Sequence, residues 1–161
     1  MRQRLEAIYR ERRQGLYSLA LAITRSAELA EDAIHDAFVR LWRSARQPAG
    51  DLTAYVFASV RNAAIEVRRR QKRRVEQATP LFGCEAAAAT DDHATAERAA
   101  AARRAVEALP LRPRQVVVMR LYGELTFQQI ADALGEPLQT VASRYRRALE
   151  RIRTELEAHD A

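Results

Sequence analysis

The sequence predicts an all-α protein with two small helical domains joined by a flexible linker. Gly and Pro number only five each among 161 residues, so helix-breaking residues are sparse. Apolar residues recur at intervals of three and four through most of the chain, which is the spacing of amphipathic helices. That periodicity stops between about residues 76 and 93, where Pro80, Gly83 and small side chains are typical of a linker. The predicted domains are therefore 1–75 and 94–161.

Three helices are predicted in the first domain. The first spans about residues 3–24, and the second follows Ser26, a preferred N-cap residue type. Its acids lie in the opening turns, where negative charge favours the positive end of a helix. The break at 47–50 ends it, and a third helix starts near Asp51 and continues through an arginine-rich stretch. Facing apolar stripes on the three helices predict a compact bundle.

The second domain also reads as helices separated by breakers. One helix runs from about Ala94 to Pro110, and a short one covers 114–122 and is ended by Gly123. Thr126 and Gln129 have the spacing of a capping box at the start of the next helix. Gly135 supplies a left-handed residue at its end. Pro137 fits the start of the last helix.

Composition excludes several classes of function. The net charge is +6, almost entirely because of arginine, which favours nucleic acid as a partner. The lone cysteine, Cys84, is expected to be incidental, and no Cys/His spacing predicts a metal site or another cofactor. No apolar run reaches the roughly 18 residues of a membrane helix, and no signal peptide begins the chain. We therefore expect a cytoplasmic protein, with no membrane insertion, that is not an enzyme.

Residues 126–147 have the pattern of a helix-turn-helix. Two helices flank the short turn at 135–137, and the second helix presents hydrogen-bonding side chains near its start. Side chains of these types suit base edges and phosphates. A purely structural helical hairpin remains the alternative, although Arg147 and Arg151 repel each other at an i,i+4 spacing that a phosphate backbone would relieve.

Two other polar faces are ambiguous from the residues alone. The end of the third helix carries a run of cations, which suits either phosphate contact or a solvated helix end. The second helix carries acids together with His35 beside its apolar stripe, which fits either a protein contact or an ordinary solvated face.

Three segments together resemble bacterial RNA polymerase sigma factors of the extracytoplasmic-function group. They read LAEDAIHDAFVRLWR, LTAYVFASVRNAAIEVRRRQKRR and ALPLRPRQVVVMRLYGELTFQQIADALGEPLQTVASRYRRALERIR, in the order and spacing of that family. The resemblance implies a region 2-like domain, a linker at 76–93 and a region 4-like helix-turn-helix domain. It further implies two partners, the RNA polymerase core and promoter DNA.

The resemblance assigns the second helix to the clamp helices of the polymerase's largest subunit. The matching residues are Asp32, His35, Asp36, Arg40 and Trp42. His35 departs from the glutamine common in the family. The loop at about 44–51 would capture a flipped base of the minus-10 element, and the third helix would follow the unpaired strand. The residues it implies for minus-10 binding are Tyr55, Arg61, Asn62, Glu66, Arg69, Arg70 and Arg73.

The second domain would read the minus-35 element and contact the flap of the polymerase's beta subunit. The residues implied for the DNA are Gln139, Thr140, Ser143, Arg144 and Arg147. Ala142 stands where many members of the family carry a lysine. Without that lysine, one phosphate contact is expected to be missing. An anti-sigma factor is a possible further partner. The alternative of a stand-alone helix-turn-helix regulator, binding duplex DNA as a dimer, stays open at this point.

Overall fold

The computed structural model describes residues 1–44, 46, 48–75 and 93–161, and in these ranges it forms helices without a strand. None of the helices in this part of the chain combines the length and apolarity needed to cross a membrane. The helices are α1 (Arg2–Thr24), α2 (Ala27–Arg43), α3 (Leu52–Val75), α4 (His93–Glu107), α5 (Leu111–Leu121), α6 (Phe127–Leu134) and α7 (Leu138–Asp160). The all-α prediction is confirmed. Most of the expected linker, with Cys84, lies outside the described residues.

The first three helices pack on one another around their apolar stripes. Ser26 is the predicted N-cap of α2, and its Oγ accepts the backbone N–H of Leu29 at 3.3 Å. Asp51 caps α3 in the same way, since its Oδ1 accepts the N–H of Ala54 at 2.7 Å. Phe57 of α3 is fully buried in the resulting core. The outer faces of α2 and α3 carry polar side chains.

The last four helices begin and end close to the predicted glycine, proline and cap residues, with two differences. The capping box at the start of α6 is confirmed, because Thr126 and Gln129 each bond the other's backbone N–H. Helix α5 begins at Leu111, earlier than expected, because Pro113 falls in the first turn, where a missing N–H costs nothing. Helix α5 ends at Leu121, one residue before the expected 122, and Glu124, just beyond the predicted breaker Gly123, is left-handed with φ 53°.

The two halves share one core. Helix α1 packs against α5, and α3 packs against α6, so buried residues of both halves belong to one apolar cluster. The backbones meet most closely at two buried glycines: a Cβ on Gly15 would lie 2.6 Å from the Cα of Gly123. Gly15 therefore serves this contact in the middle of a helix, where glycine is otherwise unfavourable.

Candidate nucleic-acid and protein interfaces

The five residues predicted for the minus-35 element gather in one groove. They lie on the first three turns of α7, opposite the segment that joins α4 to α5. Gln139, Thr140 and Arg147 are exposed, whereas Ser143 and Arg144 are half-buried. Arg151 lines the same groove one turn further along. The groove thus combines hydrogen-bonding side chains with three cations, which is the chemistry of a major-groove contact.

Arg144 is held by an acid from the turn before α7. Its Nη1 donates to Oε2 of Glu136, while Nη1 of Arg112 donates to Oε1 of the same carboxylate. The Glu136 side chain is only 14% exposed, against 22% for Arg144 and 66% for Arg112. One buried carboxylate therefore joins an arginine of α5 to an arginine of α7.

Most of the residues predicted for the minus-10 element share one face of α3. At about 100° per residue, five of them fall within an arc of about 60°. These are Tyr55, Asn62, Glu66, Arg69 and Arg73. Arg70 lies about 40° beyond this arc, whereas Arg61 lies about 120° from Tyr55. Tyr55 is 40% exposed, so its ring is available for stacking.

Glu66 is the one acid on this basic face. It accepts hydrogen bonds from both Nη atoms of Arg40 at 3.2 Å and pairs with Arg70 one turn along α3. The hydrogen bond from Arg40, followed by the charge of Arg70, lowers the pKa of Glu66. Arg40 of α2 thereby connects the predicted polymerase-binding helix to the predicted minus-10 face.

Arg61 turns toward the second half of the chain. Its Nε donates to Oε1 of Gln115 at 2.6 Å, and Gln115 is only 1% exposed. Burial, followed by repulsion from Arg112, lowers the pKa of Arg61, while the charge of Glu136 opposes this change. Nη1 of Arg61 also donates to Oδ1 of Asn62 at 3.3 Å, so Arg61 links another minus-10 candidate to the second half of the chain.

The predicted polymerase-binding residues spread across the outer side of α2. Asp32 lies at the centre, with His35 and Trp42 on one flank and Asp36 and Arg40 on the other. Asp32, His35 and Trp42 also line a groove of about 1020 Å³ between α1 and α2. Trp42 is 47% exposed and contacts the buried Phe38 edge-on, with ring centroids 6.1 Å apart. Trp42 thus packs on the core through Phe38 while nearly half of its side chain stays exposed for the predicted polymerase contact.

Three further arginines join the two halves of the chain. Arg12 donates to the carbonyl of Gly123 at 3.3 Å and to Glu124 at 3.0 Å. Arg25, a left-handed residue at the end of α1, donates to the carbonyl of Glu107 at 3.0 Å.

Arg114, which is 6% exposed, donates to the carbonyls of Ala22 and Leu109 at 2.8 and 2.7 Å. Burial, followed by the charges of Arg25 and Arg68, lowers its pKa.

The sequence did not single out several of these residues. Glu136 stands in a turn, eight positions before its partner Arg144, and that spacing carries no helical signal. Gln115 and Gly15 make contacts more than fifty residues away in the chain. Gly15 does carry one usable sign, because a glycine inside an amphipathic helix often marks a close backbone approach. Within the described ranges no group of three or more His, Cys, Asp or Glu residues could hold a metal ion.

Two family models match the chain, one in each half. Residues 8–74 match Sigma-70 region 2, and residues 99–152 match Sigma-70, region 4. The first match covers the three helices with the acidic and basic outer faces. The second covers the helices around the α7 groove, so together they contain every candidate residue.

Named relatives are similar over most of their length. The ECF RNA polymerase sigma factor SigL of Mycobacterium tuberculosis is 29% identical over 158 residues, 95% of this chain and 89% of that protein. RpoE of Cereibacter sphaeroides, an ECF RNA polymerase sigma factor, is 28% identical over 79% of this chain and 72% of its own.

The fold also matches solved structures. The sigma factor RpoE of Bartonella quintana, co-crystallised with the anti-sigma factor NepR, has a TM-score of 0.75 at 20% identity and covers 97% of this chain and 96% of its own. CnrH, in complex with the cytosolic domain of CnrY, has a TM-score of 0.68 at 17% identity, with 98% and 90% covered. The chain belongs to the sigma-70 family of RNA polymerase sigma factors, in the extracytoplasmic-function group, whose members are transcription initiation factors.

Proposed function

We propose that this chain binds RNA polymerase core and directs initiation at promoters that carry particular minus-10 and minus-35 elements. The observation that carries the proposal is the order of the two sigma-70 regions along one chain, with polar faces on α2, α3 and α7. Its role is to position the polymerase and stabilise unstacked bases, which needs no catalysed reaction of its own. The polymerase it serves acts in the cytoplasm, so the protein is placed there.

Residues 1–75 and 94–161 have separate tasks in this proposal. The outer face of α2, with Asp32 at its centre, contacts the polymerase clamp, and the basic face of α3 contacts the minus-10 strand. The groove of α7 contacts the minus-35 duplex, and the flap of the beta subunit contacts the second half. An anti-sigma factor is a further proposed partner. The similar structure of RpoE holds the anti-sigma factor NepR, and that of CnrH holds the cytosolic domain of CnrY.

The two DNA contacts require the halves to separate. At 3.4 Å per base pair, elements centred near minus-10 and minus-35 lie about 80 Å apart along the duplex. A compact chain of 161 residues has a radius of gyration of about 15 Å, which corresponds to a sphere roughly 40 Å across. The contact between α1 and α5 and that between α3 and α6 therefore belong to a state that is not engaged with both elements. Separation also frees Arg61 from Gln115 for the minus-10 strand.

Transcription with purified components tests the proposal. The full chain, added to active core polymerase, should give discrete transcripts from a pool of genomic promoter fragments. An absence of chain-dependent transcripts would overturn it, and tight DNA binding without polymerase would favour the stand-alone regulator.

A charge reversal on α2 makes the test specific to the clamp assignment. Asp36→Arg should weaken binding to core by about 2 kcal/mol, because it places a cation where an acid faces the partner. Glu155→Arg, a reversal on the exposed end of α7, is the matched control and should leave core binding intact. Normal core binding by Asp36→Arg would refute the assignment of this face.

A further inference from the structure

Glu136 occupies an unusual place for an acid in a DNA-contacting motif. It lies in the turn between α6 and α7, beside the groove that carries the minus-35 candidates, and its carboxylate is largely buried. A negative charge at this place repels phosphate, so its presence needs a compensating role. The contacts of the two carboxylate oxygens indicate what that role is.

The backbone holds Glu136 firmly. Gly135 ends α6 in the left-handed conformation, with φ 64°, and the N–H of Glu136 donates to the carbonyl of Ala131 at 3.0 Å. Pro137 follows at once and restricts the conformation of Glu136 further. The side chain therefore starts from a fixed point, and the directions of its two oxygens are set by the fold.

Each oxygen binds a different arginine. Oε1 accepts from Arg112 on the first turn of α5, and Oε2 accepts from Arg144 on α7. A guanidinium has five N–H donors in a fixed plane, and the bond to Glu136 uses only one from Arg144. That bond restricts the orientation of the Arg144 guanidinium while its other donors stay available at the groove.

We propose that Glu136 is a positioning residue for promoter recognition, which orients Arg144 at the groove of α7 and ties it to Arg112 of α5. The inference rests on the proposed function, because it assigns a role inside the minus-35 contact. A guanidinium held in one orientation discriminates between base edges better than a mobile one, because it cannot turn to bond a mismatched edge. Glu136 thus increases selectivity among sequences at the expense of general attraction to phosphate.

This role predicts opposite effects on selectivity and on affinity. Glu136→Gln keeps the shape of the side chain and removes its charge. In holoenzyme assembled with the full chain, transcription from templates with a randomised minus-35 element should lose about tenfold in preference for the best sequence over single mismatches. Binding of the same holoenzyme to promoter-free duplex at low salt should become about twofold to threefold tighter, because a negative charge is gone.

Glu155→Gln is the matched control. It removes the same charge from an exposed position on α7 outside the groove, so it should tighten promoter-free binding slightly and leave the preference unchanged. Glu136→Asp, which keeps the charge on a shorter side chain, should recover part of the preference.

Three results would overturn the positioning role. The first is an unchanged preference in Glu136→Gln. The second is an equal loss of transcription from every template, with a lowered unfolding temperature, which would mark Glu136 as a structural residue only. The third is a lack of promoter-specific transcripts with the unaltered chain. That outcome overturns the proposed function itself and is seen before any variant is compared.

Discussion

Arginines lie in two contrasting places in this protein, the contact between its halves and its outward faces. At the contact, Arg25, Arg61 and Arg114 donate to backbone carbonyls or to an amide of the other half. On the outward faces, Arg73 of α3 and Arg147 of α7 are exposed to solvent. The same residue type thus joins the two halves in one place and remains exposed as positive charge in the other.

The acceptors at the contact between the halves are mostly neutral oxygens. Carbonyl and amide oxygens are neutral, so they satisfy the donors of a buried guanidinium without cancelling its charge. Arg114 shows the cost, because its pKa is lowered by burial and its Nε has no hydrogen-bond partner within the described structure. Arg12, which also joins the two halves, differs because it forms an ion pair with the carboxylate of the exposed Glu124. The polar part of the contact between the halves therefore consists largely of hydrogen bonds from arginines to neutral acceptors.

The largest expected effect comes from truncating the most buried of these arginines. Arg114→Ala removes two hydrogen bonds from a charged donor and leaves the carbonyls of Ala22 and Leu109 unsatisfied. We expect the free energy of unfolding to fall by about 3 kcal/mol. Urea denaturation measures the change. Arg147→Ala is the control from the outward face and should stay within about 0.5 kcal/mol of the parent. Equal losses of unfolding free energy in both variants would show that the buried arginine stabilises the fold no more than the exposed one.

The exposed Arg147 should matter for transcription although it contributes little to stability. Arg147→Ala should reduce use of the minus-35 element by about 1–3 kcal/mol if its guanidinium reads a guanine. Single-round transcription on paired templates, with intact and scrambled minus-35 elements, measures this loss. Arg153→Ala, on the same helix beyond the groove and paired with Glu157, should have little effect. A loss of the same size on the scrambled template would indicate a phosphate contact without base reading.

A smaller change should loosen the contact without removing a charge. In Gly15→Ala the new Cβ would lie 2.6 Å from the Cα of Gly123, so the halves must shift apart. The same substitution favours helix in α1 by about 1 kcal/mol. Small-angle scattering should therefore give a radius of gyration above the roughly 15 Å of the compact chain, with helicity preserved. Gln14→Ala, at the exposed neighbouring position, should scatter like the parent, and an unchanged radius in Gly15→Ala would argue against a tight contact.

The smallest effect concerns the outward face of α3. Arg40 and Arg70 lower the pKa of Glu66, so the folded state favours its ionised form. Its contribution to stability is present above the ordinary carboxyl range and is lost as the pH falls through the lowered value. The slightly lower unfolding temperature expected for Glu66→Gln should therefore persist from neutral pH to about pH 4 and disappear below it. A difference that vanishes by pH 6 would contradict these pairs.

The sequence predicted elements more successfully than contacts between distant elements. Ser26, Thr126 and Gly135 set helix ends through neighbours three or four residues away, so local spacing was sufficient. Helical phase likewise groups the candidates on α7, because side chains three and four residues apart are neighbours on a helix. Arg61 shows the limit, because its position in an arginine-rich helix says nothing about Gln115, fifty-four residues later. Glu136 shows the same limit for a turn residue, whose direction depends on the angle between two helices.

The caps of α3 and α6 bear on how fast the halves can part. Asp51 caps α3 from within its own half, and Thr126 with Gln129 caps α6 within the other. The amide of Gln129 also donates to the Asp51 carboxylate at 3.3 Å, which links the two helix starts. In the proposed separation, breaking that link leaves both caps complete, so neither helix start has to melt for the halves to part as rigid bodies. Rigid-body motions of domains occur within microseconds to milliseconds.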